Sequence, residues 1–168
     1  MKFSFLFLIL CGFSLSLQAQ MNNALLEEQL TQQVDSIAGQ NGRWQLLYNE
    51  VPMMVLTDAT ADRMRIIAPI VEASSLSEDI LLDCMTANFH SALDVKYSIS
   101  NDILWSTYIH PLSPLTNEQL TSALSQVYSA VATFGTTYSS TELLFGGSAG
   151  QTPNEAEPAK PELKLKKT

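Results

Sequence analysis

The spacing of apolar residues between positions 22 and 138 changes several times along the chain. In three stretches apolar residues recur every three or four positions, as on one face of an amphipathic helix. Between these stretches they alternate with polar residues, or run together briefly, as in strands. The pattern predicts an α+β domain with the order α-β-β-β-α-β-β-α, in which helices pack on a five-stranded antiparallel sheet.

The first helix is predicted over Asn22–Ala38. Its apolar residues fall on one face at helical spacing: Leu26, Leu30, Val34 and Ile37. Gly39 and the Asn41-Gly42 pair are expected to end it, because such residues favour backbone conformations outside the helix.

Five strands are predicted: Arg43–Tyr48, Val51–Thr57, Asp62–Ala68, Leu93–Ser100 and Ile103–Ile109. The first three are close enough in sequence to form a meander. Asn49-Glu50 has the length of a two-residue hairpin turn, although Asn-Glu is not the favoured pair. Val51–Thr57 is apolar on both faces, which is typical of an inner strand or of one covered by a helix on each side.

Two further helices are expected. The helix at Ser77–Phe89 should bury the side that carries Leu81, Leu82, Met85, Asn88 and Phe89. The last helix should begin after Thr116, because Gln119 three residues later completes a capping box. It should run to about Tyr138 along an apolar stripe formed by Leu120, Leu124, Val127, Val131 and Phe134.

The two ends of the chain differ from this domain. Residues 1–19 have the pattern of a secretory signal peptide, with Lys2 before an apolar run and Ala19 at the cleavage position. A retained membrane anchor is a weaker alternative, and so is lipidation at Cys11, which bulky Leu10 precedes. We therefore expect an exported protein with no stable membrane span after cleavage. The domain should cover residues 20–145, and the Gly-, Pro- and Lys-rich segment 146–168 should be disordered.

The charge of the predicted domain is strongly negative. Between positions 20 and 145 there are fourteen acidic residues and four basic ones, a net charge of −10. A surface this acidic repels phosphate backbones, which argues against a nucleic-acid partner. Cleavage of the signal would leave Cys84 as the one cysteine, so no intramolecular disulfide is possible. We expect Cys84 to be a buried, inert thiol rather than a reactive one.

The sequence holds no recognisable catalytic, metal-binding or cofactor-binding set. His90 and His110 have no metal-ligand spacing with Cys84 or with each other, and no CxxC, HExxH or GxSxG motif occurs. Structural roles are therefore expected for both histidines. A hydrolase that uses a serine or aspartate with one of them remains a weaker alternative.

The chain from Gly42 to about Tyr138 resembles a known family. The similarity is carried by three passages: 43–49 leading into 51–55, 62–66, and 81–88 leading into 97–99. In these passages the chain resembles the YbjN-like family of bacterial domains, which shares the fold of class I type III secretion chaperones. The resemblance implies a five-stranded antiparallel sheet with helices, no invariant catalytic residue, and a dimer in the chaperone relatives. Those chaperones act in the cytosol, whereas this chain has an export signal and would act in the periplasm or outside the cell.

Together these features predict an exported, non-catalytic protein-binding module, chaperone-like or adaptor-like, that forms a homodimer and binds a protein partner. The alternative is a small-ligand or lipid-binding sensory domain of the cell envelope. The predicted partner-binding face consists of Trp44, Met54, Ile67, Trp105 and Tyr108. Each of these residues could instead belong to the core, because large apolar and aromatic side chains are mostly buried.

Overall fold

The computed structural model describes residues 20–141, so the predicted signal peptide (1–19) and the predicted tail (146–168) lie outside the described residues. The domain has three α-helices, which we number α1 Asn23–Thr31, α2 Glu78–His90 and α3 Asn117–Ala132. Its six strands are β1 Ser36–Gln40, β2 Arg43–Tyr48, β3 Val51–Asp58, β4 Arg63–Glu72, β5 Lys96–Ser100 and β6 Ile103–His110.

The strands form one antiparallel sheet in the order β1-β2-β3-β4-β6-β5. Strands β1 to β4 are a meander, and the β5–β6 hairpin joins it through β6. The predicted α+β class and antiparallel sheet are confirmed. The predicted number of strands is wrong, because the sheet has six strands rather than five.

The sixth strand occupies the end of the predicted first helix. Helix α1 ends at Thr31, and the chain then turns into β1, where Ile37 lies opposite Leu46 of β2. The Asn41-Gly42 pair forms a hairpin turn, with φ of 54° and 84°. Gly39 is needed inside β1, because a Cβ there would lie 2.2 Å from the carbonyl oxygen of Arg43. The helical spacing of Val34 and Ile37 with Leu26 and Leu30 was therefore coincidental.

One face of the sheet is covered by helices and holds the core. Strand residues Trp44, Val55, Met64, Ile66 and Leu104 are buried there. Helix α1 contributes Leu26 and Leu30, and α3 contributes Leu120, Leu124 and Val127. Across this face, the Ser106 hydroxyl donates to the Val127 carbonyl (3.2 Å), and the Tyr97 hydroxyl donates to the Ala130 carbonyl (2.9 Å). We call this side of the sheet the covered face.

The last helix begins as predicted and ends earlier. Thr116 and Gln119 form the capping box expected from the sequence. Helix α3 stops at Ala132, six residues before the predicted end, and the chain turns through Gly135 at a φ of 77°. Phe134 and Tyr138 then pack against Tyr97, with ring centroids 6.1 and 6.0 Å from it. These aromatic residues extend the core beyond the helix.

Helix α2 lies beside β5, at the end of the sheet opposite β1. Cys84 and Ala87 are its buried residues. The predicted buried side is therefore only partly right, because Leu82, Met85 and Phe89 are 66, 68 and 85% exposed. Within the residues that the structure describes, no helix is long and apolar enough to cross a membrane.

Candidate protein-interaction surface

The second face of the sheet carries apolar side chains without a layer of described helices over it. Its residues follow from the strand register, which pairs Gln45 with Met54, Met54 with Ile67, and Ile67 with Thr107. We call this side the open face. Its larger apolar members are Leu47, Pro52, Met54, Leu56, Ile67, Pro69, Ile103, Trp105 and Ile109.

The apolar residues of the open face form a continuous patch across four strands. Met54 and Ile67 are cross-strand neighbours near its centre, and Pro69 lies opposite Trp105. Met54, Ile67 and Trp105 are half-buried, since neighbouring side chains shield them partly, whereas Ile109 is 53% exposed. A patch of large apolar side chains on one face of a sheet is unusual for a surface that meets only water.

The five predicted partner-binding residues are divided between the two faces. Met54, Ile67 and Trp105 lie on the open face. Trp44 and Tyr108 lie on the covered face and are only 1 and 5% exposed, so they are core residues in this structure. The indole N–H of Trp105 donates to the carbonyl oxygen of Ser100 (3.1 Å), which fixes the ring over the β5–β6 hairpin.

Six of the larger apolar residues of this face were not singled out from the sequence: Leu47, Pro52, Leu56, Pro69, Ile103 and Ile109. The signal that could have found Pro52 and Leu56 is the apolar character of β3 on both faces. From the sequence, that character was expected of an inner strand or of one covered by a helix on each side, and β3 is an inner strand. The structure shows helices on one side only, among the described residues, and leaves the second apolar face available.

A shallow groove runs over the β1 end of the open face. One depression of about 500 Å³ is lined by residues of β1, β2, β3 and β4, including Ala38, Leu47, Pro52 and Met54. A second, of about 440 Å³, adjoins it and shares Ala38, Gln45 and Met54 with the first. The second depression is also lined by Gly39, Arg43, Trp44 and Leu56. The groove is therefore apolar along its floor and has a guanidinium group at one end.

A separate apolar ridge lies on α2, where Leu82, Met85 and Phe89 are exposed in line. Their spacing of three and four positions places them on one stripe of the helix. We call these three residues the α2 ridge. It lies at the β5 end of the sheet, away from the groove at the β1 end, so the domain has two distinct apolar surfaces.

The cysteine and histidine positions fit structural roles. Cys84 is 3% exposed, and burial raises the pKa of its thiol to about 11, so the unreactive protonated form persists at neutral pH. Nδ1 of His110 lies 2.7 Å from the Pro111 carbonyl oxygen, and the ring stacks on Tyr108. His90 lies at the end of α2, with its ring edge-on to Phe89. Between residues 20 and 141, no cluster of three potential metal-binding side chains occurs.

Comparison with known proteins identifies the fold. No family model matches the sequence, and no curated protein shows significant similarity to it. Several solved structures have a similar fold, and three of them are described here. The Yersinia pestis type III secretion chaperone SycH, in complex with a stable fragment of YscM2, is 15% identical with a TM-score of 0.51; the alignment covers 67% of this chain and 98% of that chain.

Two further similar structures are also complexes. The HopA1–SchA chaperone–effector complex aligns at 9% identity and a TM-score of 0.52, over 66% of this chain and 90% of that chain. The ExsC–ExsE complex aligns at 16% identity and a TM-score of 0.50, over 65% of this chain and 90% of that chain. These likenesses establish a secretion-chaperone-like fold, whereas membership of the YbjN-like family stays a prediction.

Proposed function

We propose that this chain is a non-catalytic, chaperone-like or adaptor-like protein-binding module and that its open face is the binding surface. The observation that carries the proposal is the patch around Met54, Ile67 and Trp105, on a sheet whose other face already holds the core. Covering such a patch is favourable, because every 100 Å² of apolar surface removed from water contributes about 2.5 kcal/mol before the costs of association.

The similar folds support this proposal. The three structures described above are complexes of proteins of this fold with a second protein or fragment. At 9 to 16% identity, the likeness concerns the fold, and a fold by itself does not determine a function. The proposal that this chain binds a protein partner therefore depends on its own open face.

Two further features belong to the proposal. We propose a homodimer in which the α2 ridges of two copies pack together, because a two-fold axis brings the same exposed stripe of each copy into contact. We also propose export to the periplasm or the cell exterior. That proposal is supported by the signal-peptide pattern of residues 1–19.

Site-specific photo-crosslinking tests the binding surface. In one set of proteins, a photoreactive amino acid would replace Met54 or Ile109. In the control protein, it would replace Glu27, which is exposed on α1. All of these proteins would be expressed in the native host. We expect one defined protein adduct from the open-face positions and none from position 27. Adducts that are equally frequent from α1, or absent from both open-face positions, would contradict the proposal.

The groove favours one alternative function, which is the binding of a small apolar ligand or lipid at the open face. Its two adjoining depressions of about 500 and 440 Å³ are of the size of small-molecule sites. Native mass spectrometry of the gently purified protein distinguishes the two functions. A retained small molecule that a Met54→Trp substitution displaces would favour the ligand-binding function.

A further inference from the structure

The basic residues of the domain are concentrated on one side of the sheet. The described residues contain four, Arg43, Arg63, Arg65 and Lys96, in a domain with a large excess of carboxylates. The register places all four on the open-face side: Arg43 pairs with Leu56, Leu56 with Arg65, Asp58 with Arg63, and Lys96 with Thr107. The apolar patch therefore coincides with the basic part of an acidic protein.

Two of the four cations are engaged locally. The Arg63 guanidinium donates to the Asp62 carbonyl oxygen (2.9 Å). Asp58 of β3 lies directly opposite Arg63 in the sheet. The Lys96 ammonium donates to the carbonyl oxygens of Asn88 and Leu93 near the end of α2. Each of these cations already has oxygen acceptors within the domain.

Arg43 and Arg65 differ from these two. They flank Leu56 in one row across β2, β3 and β4, and neither guanidinium has an ion pair or hydrogen bond with another residue of the described chain. Both are exposed, and Arg43 also lines the groove. Neighbouring strands are about 4.8 Å apart, so the two backbone positions are separated by about 10 Å. A ligand that spans Leu56 could therefore meet both.

We propose that the open face selects a polypeptide segment that combines apolar and acidic side chains. Its apolar side chains would pack on Met54, Leu56 and Ile67, and two of its carboxylates would pair with Arg43 and Arg65. This inference rests on the proposed function and specifies its partner class. An arginine can hold a carboxylate through two parallel hydrogen bonds, which adds orientation to the attraction.

The net negative charge of the domain is compatible with an acidic partner. At physiological ionic strength the Debye length is about 8 Å, so charges farther away than this are largely screened. Carboxylates on the helices lie beyond the sheet and its core layer. The carboxylate of Asp58 is on the open face, where Asp58 lies opposite Arg63, and it accepts hydrogen bonds from the backbone N–H groups of Thr60 and Ala61. Arg43 and Arg65 would contact the partner directly. The lysine-rich end of this chain, which contains Lys164, Lys166 and Lys167, has the same charge sign as this row and is not the expected occupant.

Peptide binding to the protein, purified as its host processes it, provides the test. The probe is a fluorescein-labelled peptide of alternating leucine and glutamate with the eight-residue length of β3. The control peptide has lysine in place of glutamate. We expect saturable anisotropy changes with the glutamate peptide only, and an affinity that falls as salt is raised. Equal binding of both peptides, or preference for the lysine peptide, would overturn the inference.

Two sets of variants separate the inference from the proposed function. The double substitution Arg43→Gln, Arg65→Gln should weaken glutamate-peptide binding about fivefold or more, because each exposed ion pair is modest alone. Arg63→Gln is the matched control on the same face and should change binding less than twofold. Equal losses in both proteins would overturn the assignment to Arg43 and Arg65.

The fate of the natural adduct distinguishes the two possible failures. If Met54→Ser abolishes the adduct formed from position 109 but the double arginine variant retains that adduct fully, the proposed function stands and the acidic-partner inference fails. If neither change affects the adduct, the open face is not the binding surface and both fail. Binding to phosphatidylglycerol vesicles, without binding to the glutamate peptide, would identify an anionic lipid surface as the occupant and overturn the inference.

Discussion

The side chain of Asn88 in α2 forms two hydrogen bonds with the backbone of Tyr97 in β5. Its Oδ1 accepts from the Tyr97 N–H at 2.7 Å, and its Nδ2 donates to the Tyr97 carbonyl oxygen at 3.1 Å. Strand β5 is an edge strand of the sheet, and these two backbone groups point away from β6, so no neighbouring strand pairs with them. The amide of Asn88 replaces that strand at one position and fixes α2 against the sheet edge.

Replacing Asn88 with alanine should destabilise the domain. Both backbone groups of Tyr97 would lose their partners, and a buried group left without a hydrogen bond costs about 1–3 kcal/mol. Urea denaturation followed by circular dichroism measures the difference in the free energy of unfolding. The control is Thr86→Ala, which changes an exposed position of the same helix and should alter stability by less than about 0.5 kcal/mol. Equal effects of the two substitutions would contradict the role assigned to Asn88.

The turn between β2 and β3 offers a stabilising substitution. Asn49 and Glu50 have φ angles of 48° and 66°, as a type I′ turn requires. Asparagine tolerates this region, whereas glutamate adopts it at a cost and glycine adopts it freely. Glu50→Gly should therefore raise the free energy of unfolding by about 0.5–1 kcal/mol. Thermal denaturation would show this as a higher melting temperature.

The matched control for this turn is Asp102→Gly in the β5–β6 turn. Asp102 has a similar φ of 59°, but its carboxylate accepts hydrogen bonds from the backbone N–H (3.0 Å) and hydroxyl (2.8 Å) of Ser74. Glycine would relieve strain there and remove these bonds, so we expect no gain in stability. A Glu50→Gly protein less stable than the wild type would show that the turn does not bear the inferred strain.

Most of the strand and helix order follows from the sequence, but β1 does not. Ile37 continues the apolar spacing of α1, and five residues are too few to establish a period of two. The Asn41-Gly42 pair was interpreted as a helix terminator, although it is also the strongest short signal for a hairpin. What decides between these interpretations is the pairing of Ile37 with Leu46, a tertiary contact that local periodicity does not contain.

The five residues predicted for the partner-binding face lie on two different faces of the sheet for a related reason. Periodicity shows which residues share a face of a strand, and the register pairs Met54 with Ile67 on the open face. Periodicity does not show which face a helix covers, so Trp44 and Tyr108 were grouped with them although they are buried. The same uncertainty affected α2, which has apolar residues on two sides, so that Leu82 was assigned to the core.

Asp62 should make the stability of the domain depend on acid pH. The Ser113 backbone N–H donates to one carboxylate oxygen (2.7 Å) and the Ser113 hydroxyl to the other (2.9 Å), and these bonds hold the pKa of Asp62 below its ordinary value of 3.8. The unfolded chain therefore takes up this proton first as the pH falls. The stabilisation is present above pH 3.8 and is lost as the pH drops through the lower pKa of the folded state.

The substitution Asp62→Asn isolates this effect. It keeps one acceptor oxygen and removes the charge, so the variant should be less stable than the wild type at neutral pH. The difference should shrink between about pH 5 and pH 2 as the wild-type carboxylate becomes protonated. Urea midpoints measured across this range provide the comparison. A difference independent of pH would mean that Asp62 contributes through its shape rather than through its charge.

The α2 ridge leads to a prediction about assembly. If two ridges pack across a two-fold axis, replacing Met85 and Phe89 with serine removes apolar contacts from both copies at once, and the protein should sediment as a monomer. Asp79 and Asp83, exposed on the same helix, would approach their own copies across this axis. Because like charges repel and salt screens them, we expect the wild-type dimer to strengthen as salt is added.

The control for the ridge is Ile109→Ser, which removes an exposed apolar side chain from the open face instead. It should leave the sedimentation coefficient of the wild type unchanged, because the two surfaces lie at different parts of the sheet. If Ile109→Ser gives monomers while the α2 variant remains a dimer, the open face is the contact between copies. In that case a protein partner would have to compete with a second copy for Met54 and Ile67, and crosslinked adducts would diminish as the protein concentration rises.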